Sequence, residues 1–119
     1  MVSDKPLRPV ADPAAERLRI NAETARIGWR ELQRFFAQGY AVYIGPRLDL
    51  VEVAIEMQND NKAQIERWLA DAAMAPVSDA QARDWFERNA VVWCVVVRPW
   101  VLVQPIDQLQ SDSSRHLPQ

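Results

Sequence analysis

Apolar residues recur along this chain at helical spacing first and at strand spacing afterwards. Asp12-Pro13 reads as a helix opening: an aspartate there accepts from free first-turn amides, and a proline loses no needed hydrogen bond. Ala14, Leu18, Ala22 and Ala25 then share one helical stripe, which predicts a first helix running to about Ile27-Gly28. Trp29, Leu32 and Phe36, broadened by Phe35, make a second and heavily aromatic stripe, closed by Gly39 where a left-handed residue is needed. From Tyr40 to Ile44 the chain is rich in β-formers and stops at the turn signal Gly45-Pro46. Beyond it, from Leu48 or Leu50 to Met57, the alternation of Val51, Val53, Ile55 and Met57 with Glu52, Ala54 and Glu56 predicts a strand. The two strands are expected to form an antiparallel hairpin.

Asn59-Asp60 opens a third predicted helix, with Ile65, Trp68, Leu69 and Ala72 on one side and Pro76 as its breaker. Ser78 followed by Gln81 has the form of a capping box, which predicts a fourth helix over about Asp79 to Asn89 with Ala82, Trp85 and Phe86 inward. The stretch Val91 to Gln104 is apolar on both faces, the signature of a strand covered on two sides. Pro99 interrupts it, because a residue without an amide belongs at an edge, a bulge or a break between two strands. The whole predicts an α+β fold of order α-α-β-β-α-α-β(-β). Its small, mostly antiparallel sheet has three to four strands and is accompanied by four helices.

The 119 residues suit one folded unit, expected over 12–105, with flexible tails at 1–11 and 106–119. A composition of 49% hydrophobic and 25% charged residues is that of a globular protein and excludes general disorder. One cysteine and one histidine exclude an internal disulfide and the usual thiolate or imidazole metal sites. The first residues carry acid and proline where a signal peptide needs an apolar run, and the longest apolar run, Ala90 to Val97, is far short of the roughly 20 residues of a bilayer span. A cytoplasmic protein with no membrane partner is expected. The net charge of −2 makes nucleic acid an unlikely partner. Basic residues do gather in Arg17, Arg19, Arg26, Arg30 and Arg34, and they sustain a weaker alternative, RNA binding through the first two helices.

Three runs carry a family likeness: Trp29-Arg30-Glu31-Leu32, Leu48-Asp49-Leu50-Val51-Glu52-Val53-Ala54 and Pro99-Trp100-Val101-Leu102-Val103-Gln104. In order and spacing they resemble the bacterial domain-of-unknown-function family 2288 over roughly residues 18 to 105. The resemblance implies a bacterial and cytosolic origin, and it supplies no catalytic residues.

The acidic residues Asp49, Glu52, Glu56 and Asp60 are the one plausible reactive cluster. On a strand, Glu52 and Glu56 stand about 13 Å apart, too far for a glycosidase pair, which needs about 5 to 9.5 Å. A magnesium-assisted or small-molecule enzyme using Asp49, Glu52 and Arg98 is therefore the alternative reading. Ser78 is used as a cap, His116 lies in a tail, Cys94 sits in an apolar strand, and three scattered glycines make no phosphate loop. No cofactor and no catalytic residue follow. Five tryptophans are the feature most above expectation: Trp68, Trp85 and Trp93 read as core, whereas Trp29 and Trp100 are candidates for a surface. Arg98, Trp100, Trp29 and Gln104 are accordingly expected on a protein-interaction surface, either for a different partner or for a homodimer through an uncovered face of the valine strand.

Overall fold

A computed structural model describes residues 13–106. The expected tails fall largely outside this range, as do the Asp12 cap and His116, but Ile106, expected in the loose C-terminal stretch, is described and buried. The element order is α1 (Pro13–Glu23), β1 (Ala25–Gly28), a 3-10 turn (Trp29–Leu32), α2 (Gln33–Ala37), β2 (Ala41–Ile44), α3 (Leu50–Gln58), α4 (Lys62–Ala70), β3 (Met74–Pro76), α5 (Asp79–Glu87), β4 (Val91–Val97) and β5 (Trp100–Pro105). The α+β class stands. The described residues hold a five-stranded mixed sheet in the order β1-β4-β5-β2-β3, larger than the expected three to four strands, and five helices instead of four.

Two short strands account for the extra sheet. Ala25–Gly28, expected as the end of the first helix, pairs antiparallel with β4, and Met74–Pro76, expected as a helix terminus, pairs antiparallel with β2. These four- and three-residue segments form the two edges of the sheet. The third correction is larger. The stretch from Leu48 or Leu50 to Met57, expected as a strand, lies in α3 from Leu50 on, so the predicted hairpin does not exist: β2 pairs parallel with β5 and antiparallel with β3. Asp49 starts the helix, its side chain accepting from the Val51 amide at 3.0 Å. Alternating valines fit either periodicity, but Ala54, assigned to the wet face of a strand, is completely buried along with Leu50, Val51 and Val53. That is a helical stripe.

Four helices end alike. After α2, α3, α4 and α5, residues Gly39, Asp60, Ala72 and Asn89 adopt positive φ angles of 87°, 58°, 59° and 54°. The next amide in each case (Tyr40, Asn61, Ala73 and Ala90) donates back to the carbonyl of Phe35, Glu56, Trp68 or Trp85 at 2.9 to 3.0 Å. The expected closing role of Gly39 and the capping box of Ser78 and Gln81, with both bonds at 3.0 Å, are present.

The valine stretch folds back on itself. β4 and β5 pair antiparallel from Val97↔Trp100 to Val92↔Pro105, joined at Arg98-Pro99, whose peptide is cis. Pro99 therefore marks the break between two strands. Val95, Val97 and Leu102 point into one core beside Val42, Ile44 and the buried residues of α1 and α3, with Ile65 and Trp68 of α4 packed against it. Val92, Cys94, Val101 and Val103 point into a second core with Trp29, Leu32, Ala82 and Trp85. The middle of the strand, Val92 to Val95, is covered on both sides within one chain and leaves no open valine face there for the expected homodimer, whereas Val91 and Val96 keep 44% and 51% exposure.

Candidate functional site

At the turn between β4 and β5 the parity of the strands sends Trp100 to the same side as Val97 and Leu102, the side covered by α3 and α4. Tyr40, one residue before β2, comes beside it because Val101 donates to the Tyr40 carbonyl at 2.9 Å. The two rings meet edge to face, with centroids 6.1 Å apart and planes at 83°. Both stay partly in water, Trp100 at 39% exposure and Tyr40 at 37%.

Beside this ring pair lies a cleft of about 330 Å³, lined by Trp100, Val97, Met57 and Ile65 and by four ionisable residues, Arg98, Lys62, Asp60 and Glu66. Three elements converge to build it. Met57 comes from the last turn of α3, Ile65 and Glu66 from the middle of α4, and Arg98 and Trp100 from the strand turn. Asp60 and Lys62 hold the corner between the helices, fixed by the left-handed Asp60 and by Asn61, whose side chain caps α4 by accepting from Gln64 at 3.3 Å. The result is an apolar floor with a charged rim. Asp60, Lys62, Glu66 and Arg98 take part in none of the ion pairs among the described residues. A cleft of this composition suits an aromatic or aliphatic anchor with salt contacts around it.

The four residues expected on the interaction surface separate. Arg98 and Trp100 line the cleft. Trp29 does not reach the surface: it has no exposure and packs edge to face on Trp85 at 5.1 Å and Phe36 at 5.9 Å. Gln104 is also buried, with 7% exposure, and its amide donates to the carbonyls of Gly45 at 2.8 Å and Leu48 at 2.9 Å. It pins the loop that leads from β2 into α3. A polar residue inside an apolar strand was the signal of that buried role. The partners of Trp100 in the cleft carry no local sequence signal, because three separate elements deliver them.

The acidic alternative is dispersed. Asp49 caps the start of α3 and pairs with Arg17, while the cleft that holds Arg98 opens at the other end of that helix. Nine residues of helix span about 14 Å. Glu52 is exposed on α3, and Glu56, now one helical turn from it, accepts from the Asn61 side chain at 2.8 Å. The 13 Å separation expected of a strand is replaced by a rise of about 6 Å. Among the described residues no three His, Cys, Asp or Glu side chains gather where they could hold a metal. Cys94 is buried, and desolvation pushes its thiol up to about 11 from 9.0. Among the described residues no helix is long and apolar enough to cross a membrane.

The arginines of the first two helices are turned onto the chain itself. Arg17 pairs with Asp49, and Arg19 pairs with Glu16 at 2.8 Å and Glu23 at 3.2 Å. Arg26 lies 5.8 Å from the Trp93 ring and Arg34 5.1 Å from that of Phe35. Arg30 covers Phe86 at 4.5 Å and donates to its carbonyl, and Phe86 in turn lines a second cleft of about 350 Å³ between α2 and α5.

The sequence profile of a family described as proteins of unknown function, DUF2288, matches residues 16–105. The chain belongs to the DUF2288 family. A solved relative is PA1075 from Pseudomonas aeruginosa, known from an NMR solution structure. It is 35% identical, superposes with a TM-score of 0.67, and the match covers 89% of this chain and 94% of that one. No curated protein matches. The DUF2288 match takes in both helices and the strand turn that build the cleft.

Proposed function

We propose that this DUF2288 protein is a non-enzymatic protein-interaction module whose contact site is the cleft beside Trp100. The observation that carries the reading is the half-exposed Trp100–Tyr40 pair, set next to an apolar floor and to Arg98, which takes part in no ion pair among the described residues. Tryptophan, tyrosine and arginine are the residue types that dominate binding energy at protein interfaces when they flank a pocket that excludes water. The carboxylates of the cleft, Asp60 and Glu66, stand on its rim beside Lys62 and Arg98, where they suit salt contacts with a partner, and among the described residues no metal-binding cluster joins them. The enzymatic alternative has less support, because Asp49 and Glu52 lie away from the cavity that Arg98 lines. RNA binding draws no support from arginines already committed to carboxylates and rings.

The test is a photocrosslinking amino acid placed at Lys62, on the rim, with a control at Ala80, exposed on α5. In cells, position 62 should give discrete protein adducts, to another protein or to a second copy, that position 80 does not give. Adding Trp100→Ala should abolish them with the fold unchanged by circular dichroism. Absence of adducts at position 62, or adducts indifferent to Trp100, would overturn the reading.

A further inference from the structure

We infer that the partner of the cleft is a second copy of this chain, docked about a twofold axis with each Trp100 entering the other copy's cleft. This rests on the interaction reading above and names its occupant. The argument begins with charge. The rim carries two cations, Arg98 and Lys62, and two anions, Asp60 and Glu66, none of them in an ion pair among the described residues. A rim of zero net charge does not select a polyanion or a polycation, and because it holds both signs it can pair with itself. Under a twofold operation the same patch meets the same patch, so each contact of an Arg98 or Lys62 with an Asp60 or Glu66 of the second copy is made twice by symmetry.

Shape agrees with charge. A twofold interface needs a projection and a recess on one surface, and the cleft supplies both: the Trp100 ring, 39% exposed and braced by Tyr40, and the adjoining recess over Met57, Ile65 and Val97. Its 330 Å³ is ample for an indole. The long guanidinium of Arg98, at the tip of the strand turn, is the group with the reach to meet Glu66 of the second copy, and a guanidinium can bind a carboxylate through two parallel hydrogen bonds.

The experiment is sedimentation equilibrium of the full chain from micromolar to millimolar concentration, on wild type, Trp100→Ala, Arg98→Glu and Glu66→Arg. Wild type should be a reversible dimer and Trp100→Ala a monomer throughout. Arg98→Glu alone places four anions where two faced two cations, and Glu66→Arg alone does the opposite, so each should weaken dimerisation at least about tenfold. Mixed one to one, the two charge variants should recover a dimer, because both crossed contacts are then of opposite sign. The charge variants alter exposed side chains, so they decide the matter even if Trp100→Ala were to fold poorly. A wild type that stays monomeric, or charge variants that dimerise as wild type and gain nothing on mixing, would overturn this inference. If Trp100-dependent adducts to another protein persisted in that case, the interaction reading would stand and only the choice of partner would fall.

Discussion

Ala72 carries more backbone strain than its neighbours at helix ends. It closes α4 at a φ of 59°, a conformation that Gly39 adopts freely and that Asp60 and Asn89 tolerate through their short polar side chains. Alanine has neither advantage. Ala72→Gly should raise stability by about 0.5–1 kcal/mol, the relief of left-handed strain less the greater freedom of glycine when unfolded, read as a higher urea midpoint with an unchanged slope. Cys94 makes a different residue-scale statement. Burial raises its folded pKa from 9.0 to about 11, so the neutral thiol contributes stability in full below 9 that is lost as pH climbs through 11. Urea midpoints should fall over that window more steeply in wild type than in Cys94→Ala, and parallel curves would contradict the assignment.

Elements show where local reading works. Gln104 joins two of them: its amide reaches from β5 to the carbonyls of Gly45 and Leu48, fixing how the chain leaves β2 and enters α3. Gln104→Leu keeps the bulk but removes the donor to both carbonyls, leaving Gly45 only the Leu48 amide at 3.2 Å, and should cost on the order of 1–3 kcal/mol by chemical denaturation. The capping box at Ser78, the stop at Gly39 and the two-faced valine run were legible because each signal lies within a few residues of its effect. Two features misled. Val51, Val53, Ile55 and Met57 satisfy a period of two while Leu50, Val51, Val53, Ala54 and Met57 satisfy a helix, and the burial of Leu50 and Ala54 separates them. Asp49, a helix cap with Glu52 three residues on, was the available clue. Strands β1 and β3, at four and three residues, are too short to show a period and exist because β4 and β2 offer them partners.

At the scale of the molecule, the parallel neighbours β2 and β5 stand about sixty residues apart in the chain, so the middle of the sheet depends on a pairing that no local window contains. The cleft shares that origin: Arg98 and Trp100 were legible as surface candidates, but their companions come from α3 and α4, more than thirty residues earlier in the chain. Trp29 and Gln104 were misplaced for the same reason, since an aromatic or a polar residue reveals its depth only when the layers over it are known. The flanks of the sheet have a consequence of their own. A growing fibre recruits monomers along an uncovered ribbon of backbone donors and acceptors. Here one flank offers four residues and the other three, the latter finishing on an imino nitrogen with nothing to donate. Crowded solutions of this valine-rich chain are thereby steered away from amyloid templating and toward contacts made by side chains.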